Sequence, residues 1–226
     1  MSEDRAVLLY GSHARGDADE ISDVDVLIVG ERPLTANEIA TLLSEVSYGG
    51  PLHTSHYKWD EFGAMSEYGS LFLHHIAVEA KVIRYEGEAK KRLTNMLAFL
   101  RPYQLAARDL AAFRTTVRDV EAGLRAGLPP CFELAVLGGI TRHASVLGCY
   151  MAGRPTFGRN SIALAADLFG MQAAKNDLVL AHRFRLFEEG QCDAPCEISR
   201  TDVAHVLELL SAFLDRLETM IYANAG

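Results

Sequence analysis

The chain has 226 residues, of which 49% are hydrophobic and 23% charged, with a formal net charge of −8. At roughly 150 residues per domain this is one to two domains, long enough to bury a core without disulfides or metal staples. The composition excludes a disordered chain, a collagen-like chain and a coiled-coil rod, and the acidity argues against a general nucleic-acid coat protein.

The elements follow in order. Residues 6–10 (Ala-Val-Leu-Leu-Tyr) form an apolar run ending at Gly11, the pattern of a buried strand. Residues 12–21 are polar and read as a loop or short helix. Residues 24–29 (Val-Asp-Val-Leu-Ile-Val) are β-branched and end at Gly30, which predicts a second strand. Thr35-Ala-Asn-Glu38 matches a capping box. Ile39, Leu42, Leu43 and Val46 continue at helical spacing until Gly49-Gly50-Pro51. Residues 52–59 read as a third strand. Asp60 to about Val78 reads as mostly helical with a break near Gly69, and Lys81–Tyr85 as a fourth strand.

From residue 89 the apolar period becomes helical. Expected helices cover 131–152, 161–169 with Asn160 as N-cap, 172–189, and a last one capped by Ser199-Arg-Thr-Asp202. The expected fold class is therefore α/β (α+β). A mixed sheet with flanking helices spans residues 1–88, and a C-terminal helical bundle spans 89–226.

Charge is uneven along the chain. Residues 1–90 hold 7 Lys+Arg and 16 Asp+Glu, whereas residues 91–226 hold 15 and 14, and 13 of those later cations are Arg. Such residues read first as helix-surface charges, although Arg also suits phosphate and carboxylate. Cys131 and Cys149 lie in apolar helical sequence and read as buried thiols. Cys192-Asp-Ala-Pro-Cys196 has no second ligand pair at zinc spacing and needs no metal. No window approaches roughly 18 uninterrupted apolar residues, so no membrane span is expected. The start, Met1-Ser2-Glu3-Asp4-Arg5, lacks the basic, apolar character of a secretory leader, and a cytosolic protein is expected.

One stretch carries chemistry: Leu9-Tyr10-Gly11-Ser12-His13-Ala14-Arg15-Gly16, then Ser22-Asp23-Val24-Asp25-Val26. A strand ends at Gly-Ser, where the missing Cβ of Gly11 lets a phosphate approach the backbone and the Ser12 hydroxyl can bond its oxygens. Asp23 and Asp25 are two apart on the next strand, so both carboxylates share a face. Paired carboxylates repel unless a cation sits between them, and oxygen ligands with room for water and phosphate suit Mg²⁺. The combination describes a site for a metal–nucleotide complex.

This pattern resembles the nucleotidyltransferase superfamily that includes DNA polymerase β, most closely the bacterial minimal nucleotidyltransferases. Small-molecule nucleotidyltransferases with a helical C-terminal domain share the core. The signature spans residues 6–29, and the general resemblance extends to about residue 88. The resemblance implies that Gly11 and Ser12 hold the β- and γ-phosphates of an NTP, with ATP favoured, and that Asp23 and Asp25 bind Mg²⁺ or Mn²⁺. Arg15 would reach the triphosphate, or equally pair with Asp17, Asp19 or Glu20. Ser22 would cap the turn. The implied reaction is in-line attack of an acceptor on the α-phosphate with release of pyrophosphate.

The sequence departs from the family at one position. Active members carry a third carboxylate on a later strand, yet residues 52–59 hold no Asp or Glu. His53 stands nearest the expected place, with His56 as the alternative and Asp60 at the strand's end. The outcomes left open are an altered active site, an acid supplied from elsewhere, and a nucleotide- or partner-binding pseudoenzyme. Glu133 is the candidate acid in the helical region, read also as a helix-dipole residue. Arg142, Arg154 and Arg159 lie in or beside the loop Gly153-Arg-Pro-Thr-Phe-Gly-Arg-Asn160, which resembles the loop between two C-terminal helices in several related two-domain proteins and could line a cleft facing the nucleotide. His74-His75 point about 100° apart on a helix and read as structural. Arg142-His143 lacks the spacing of the HEPN ribonuclease motif. The expected partners are a nucleotide and an acceptor that is a small molecule, a protein side chain or an RNA end. A homodimer is compatible with the resemblance, and long nucleic acid is disfavoured by the acidic N-terminal half.

Overall fold

A computed structural model describes residues 3–20, 22–44 and 50–223. The chain divides into two compact units, Met1–Gln104 and Leu105–Gly226.

In the first unit, β1 (Arg5–Tyr10) leads straight into the short helix α1 (Gly11–Arg15), and β2 (Val24–Val29) follows. Next come α2 (Ala36–Leu43), β3 (Leu52–Tyr57), α3 (Trp59–Glu67), α4 (Leu71–Glu79), β4 (Lys81–Glu86) and α5 (Ala89–Ala98). The four strands form a mixed sheet in the order β3-β2-β1-β4, with β1 antiparallel to β2 and β4, and β2 parallel to β3. The two central strands are covered on both faces, which is why they read as continuous apolar runs. Their alternate residues supply two cores. Leu8, Tyr10, Leu27 and Val29 pack with Trp59, Phe62, Leu73 and Ile76 from α3 and α4. Val7, Leu9, Val26 and Ile28 pack with Ala14 and Ile39 from α1 and α2.

The capping box at α2 forms as its sequence suggests. The Glu38 N–H donates to Thr35 Oγ1 at 3.3 Å, and the Thr35 N–H donates to Glu38 Oε2 at 2.8 Å. The helix expectation at Val46 and the stop at Gly49 lie outside the described residues. The break between α3 and α4 falls at Gly69, whose φ of +67° favours glycine. β3 ends at Tyr57 rather than residue 59, because Trp59 already opens α3 and buries its ring in the core. The unit also extends past residue 88. α5 sends Ala89 and Leu93 into the sheet core, so the division falls at 104/105 rather than 88/89.

The second unit is helical throughout its ordered elements: α6 (Ala106–Ala126), α7 (Pro130–Met151), α8 (Ser161–Leu168), α9 (Lys175–Glu188) and α10 (Arg200–Ala223). α7 is central and packs on the other four. At Gly138 a Cβ would stand 2.1 Å from the Ala181 carbonyl oxygen, so glycine there sets how closely α9 approaches α7. The expected cap at Asn160 is corrected. Asn160 holds the N-cap position with helical backbone angles, and its side chain makes no capping bond. The Ser199–Asp202 cap does form, with the Asp202 N–H donating to Ser199 Oγ at 3.3 Å. Among the described residues no helix is long and apolar enough to cross a membrane.

Candidate active site

The site lies where β1 ends and β2 begins. Antiparallel pairing sets Tyr10 opposite Asp25, so the turn after β1 reaches the carboxylates of β2. Gly11 sits at φ +72°, and a Cβ there would stand 2.3 Å from Asp25 Oδ2. Any other residue would occupy the space that this carboxylate fills. The glycine is thus required twice, by backbone conformation and by close approach. Ser12 follows on α1, half-buried, and its carbonyl accepts the Gly16 N–H at 2.9 Å.

Asp25 is half-buried. Burial pushes its carboxyl above the ordinary carboxylate range, a hydrogen bond from His53 opposes this, and Asp23 adds to the rise. Asp25 lies on β2, and Asp23 stands just before the strand's first residue, Val24. Parallel pairing of β2 with β3 puts His53 directly beside Asp25, and His53 Nδ1 lies 3.2 Å from Asp25 Oδ1. An ionised carboxylate only accepts, so Nδ1 carries the proton in this bond. Of the three candidates for the third position, His53 is the one that meets Asp25. His56 pairs with Ile28 further along the strand, and its Nε2 donates to the Gly30 carbonyl at 2.9 Å. Asp60 lies in the first turn of α3, past the opposite end of β3.

Arg15 is engaged with protein carboxylates. It donates to Glu79 Oε2 at 2.6 Å and to Asp17 at 3.1 Å. Asp17 was within reach of sequence reasoning, whereas Glu79 on α4 was not, because nothing local marks a residue 64 positions away as its partner. Glu79 also meets His75 Nε2 at 2.8 Å, and the His75 ring stands edge-on to Tyr10 at 5.6 Å. Tyr10 Oη reaches Ser55 Oγ on β3 at 3.1 Å, and burial raises the phenol. Two bonded groups, Tyr10 with Ser55 and Glu79 with His75 and Arg15, thus meet where the His75 ring stands against Tyr10. His74 Nε2 bonds the Arg101 carbonyl at 3.1 Å. Ser22 is buried and closes the turn, its Oγ accepting the Asp19 N–H at 2.9 Å and donating to Asp19 Oδ1 at 2.6 Å.

Among the described residues, no three His, Cys, Asp or Glu side chains gather into a metal cage. Mg²⁺ needs no such cage, since it is commonly held by one or two carboxylates with water and substrate phosphates. The donor set fits that use. Asp23 and Asp25 supply hard oxygen, and the space over Gly11 would close if a Cβ stood there.

Glu133, Arg142, Arg154 and Arg159 belong to the second unit. Glu133 is buried at the start of α7, where a Cβ on Gly123 of α6 would meet its Oε1 at 2.0 Å, and burial raises its carboxyl.

The strand β1 thus runs into Gly-Ser, and its antiparallel neighbour β2 brings Asp25 back beside that turn. Residues 1–74 match the family described as nucleotidyltransferase domain. The match covers about a third of the chain and is consistent with the polymerase β-like nucleotidyltransferase superfamily, and the helical domain follows it. No curated protein matches the chain.

Proposed function

We propose that the protein transfers an NMP, with AMP preferred, from a Mg²⁺-bound NTP to an acceptor, releasing pyrophosphate. The observation that carries this reading is the close approach of the Asp25 carboxylate to Gly11, which joins the phosphate turn and the carboxylate pair in one site. Asp23 and Asp25 hold the metal. Gly11 and Ser12 receive the β- and γ-phosphates. When bound, the ion neutralises charge on the phosphates. The acceptor oxygen bonds to the α-phosphorus, the bond to the bridging oxygen breaks, and pyrophosphate leaves with that electron pair while the acceptor proton passes to water. The chain contributes mainly positioning and charge stabilisation. His53 positions Asp25 through the Nδ1–Oδ1 bond. Arg15 holds α1 against α4 through Glu79. Acceptors in view are a small molecule, a protein side chain and an RNA end, and a dimer is compatible with the reading.

A second reading has its own observation. An imidazole stands beside Asp25 where a third carboxylate would add negative charge for the metal. A domain so altered would bind nucleotide without turning it over, as a sensor or partner-binding module. Calorimetry with ATP, with and without Mg²⁺, tests both on the wild type and on Asp23→Ala/Asp25→Ala. Metal-dependent binding that the double variant loses supports the shared site. Pyrophosphate release with an acceptor panel then supports transfer, and its absence supports the binding module. Binding that the double variant retains would remove these aspartates from the site.

A further inference from the structure

The sheet of the first unit has two edges, and they differ. β3 forms the edge beside the carboxylates and carries no Asp, Glu, Lys or Arg. β4 forms the other, and among the described residues no strand pairs with its outer side. An open edge is a template for another chain, and proteins commonly guard it with lysines and bulges. β4 has both. Val7 pairs with Arg84 and Leu8 with Val82, so Ile83 is an extra residue and the strand is bulged.

The bulge decides which residues share a face. Lys81, Arg84 and Glu86 stand opposite Leu9, Val7 and Arg5, on the side that α2 covers. Val82 and Tyr85 stand opposite Leu8 and Ala6, on the side of α3 and α4. With Ile83 set aside, the strand presents alternating positions centred on Arg84. Antiparallel copies in one sheet are related by a two-fold axis normal to it, and opposed residues share a face. An axis through Arg84 therefore sets Lys81 against Glu86 of the copy, and Val82 against Tyr85 of the copy. Each pair lies on its own face and is made twice. In an unbulged strand residues 81 and 86 would point to opposite faces, and this register could not form. The devices that guard the edge against other strands thus fit it to itself.

The side chains suit the pairing. Lys81 is exposed and makes no ion pair among the described residues. Glu86 accepts from Arg5 Nη1 at 3.2 Å and lies 3.1 Å from Arg84 Nε, yet 28% of its side chain stays exposed. Val82 is 48% exposed, and Val78 just before the strand is 60% exposed, which leaves apolar surface at this end of the edge. Arg84 meets its own copy at the axis, and each guanidinium there is already held by its own Glu86. We propose that β4 pairs antiparallel with β4 of a second copy of this chain, centred on Arg84, and joins the two sheets into one. The Asp25–His53 contact is on β2 and β3, away from this edge, so the inference stands on the sheet alone and does not rest on the nucleotide reading. A single strand pair is a small contact, and the dimer is a weak one that dissociates in the micromolar range.

The test is sedimentation velocity of the full chain from low micromolar to near-millimolar concentration, with amide hydrogen exchange read on the same samples. The wild type is expected to pass from monomer to dimer. Outward-pointing amides of β4 should slow roughly tenfold as it does so, and those of β3 should not change. Lys81→Glu sets a carboxylate against Glu86 at two symmetric contacts and should weaken the dimer roughly tenfold. Val82→Lys sets a charge against Tyr85 and should weaken it at least as much. Both residues are exposed, so the variants keep the fold, which melting curves check. Thr54→Lys on the opposite edge should leave the dimer unchanged. A monomer at every concentration overturns the proposal. So does a dimer that Lys81→Glu and Val82→Lys leave intact, or slowed exchange that falls on β3 or the helical unit instead of β4.

Discussion

Replacing Gly11 by alanine separates the two demands made on that position. The first is conformational. A side chain at φ +72° enters the left-handed region, at a cost of roughly 1–2 kcal/mol. The second is steric. The new Cβ would stand 2.3 Å from Asp25 Oδ2, and ordinary contact begins near 3.4 Å, so the carboxylate must retreat. The retreat is about 1 Å, a misplacement that costs on the order of 100-fold where alignment matters. Gly16 is the internal control. Its φ is +84°, and a Cβ there meets nothing within 4 Å. Urea unfolding should therefore show Gly16→Ala losing roughly 1–2 kcal/mol with Mg²⁺–ATP binding intact. Gly11→Ala should lose at least as much stability, and metal-dependent binding should fall by one to two orders of magnitude, as judged by calorimetry. Equal nucleotide affinity in the two variants would refute the cradle, because it would mean that Asp25 need not stay where Gly11 lets it stand.

Other expectations follow from the same geometry. His53→Asp puts a third carboxylate beside Asp25, so the metal-free domain should lose about 1 kcal/mol by repulsion and recover it with Mg²⁺; melting curves with and without the ion check this, and no Mg²⁺ effect would refute it. Arg15→Met breaks the 2.6 Å bond to the nearly buried Glu79 and should cost about 2 kcal/mol in urea unfolding. A double cycle with Glu79→Leu reads the coupling, and a value near zero would remove the pair as a brace for α1. Glu38 is held down to about 2 by the Thr35 N–H, Arg32 and the Thr35 hydroxyl, against an ordinary value of 4.5. Because the folded value is depressed, its contribution is full above pH 4.5 and fades as pH falls towards 2. An NMR titration of the Glu38 side chain should have its midpoint far below that of an exposed glutamate, and a midpoint near 4.5 would refute the cap's electrostatic role.

Local chemistry was legible in the sequence. β1 and β2 announce themselves because buried central strands need apolar residues on both faces, and the capping box at Thr35 and Glu38 is read from side chains three positions apart. The pairing of Gly-Ser with Asp-x-Asp is visible because both partners flank a short connection. What stayed hidden depends on tertiary placement. The Arg15–Glu79 bond joins helices whose meeting depends on how the chain crosses the sheet. α5 looks like the first helix of a bundle because its period is helical, and only packing assigns its apolar face to the sheet. Asn160 has the residue type of an N-cap but not the extended backbone that directs its side chain at the helix end.

The third position shows how register turns an ambiguous reading into a specific one. His53 and His56 are three apart on one strand, so they point to opposite faces and at most one can address Asp25. Pairing of Asp25 with His53 settles which, and leaves His56 to the Gly30 carbonyl. Binding and turnover then rest on different atoms. On the proposed reading, nucleotide binding draws on Gly11, Ser12, Asp23 and Asp25, whereas transfer also depends on what stands beside Asp25. A change at residue 53 should therefore alter pyrophosphate release far more than it alters the heat of nucleotide binding. Equal loss of both would instead mean that the His53–Asp25 bond is part of the metal cradle itself.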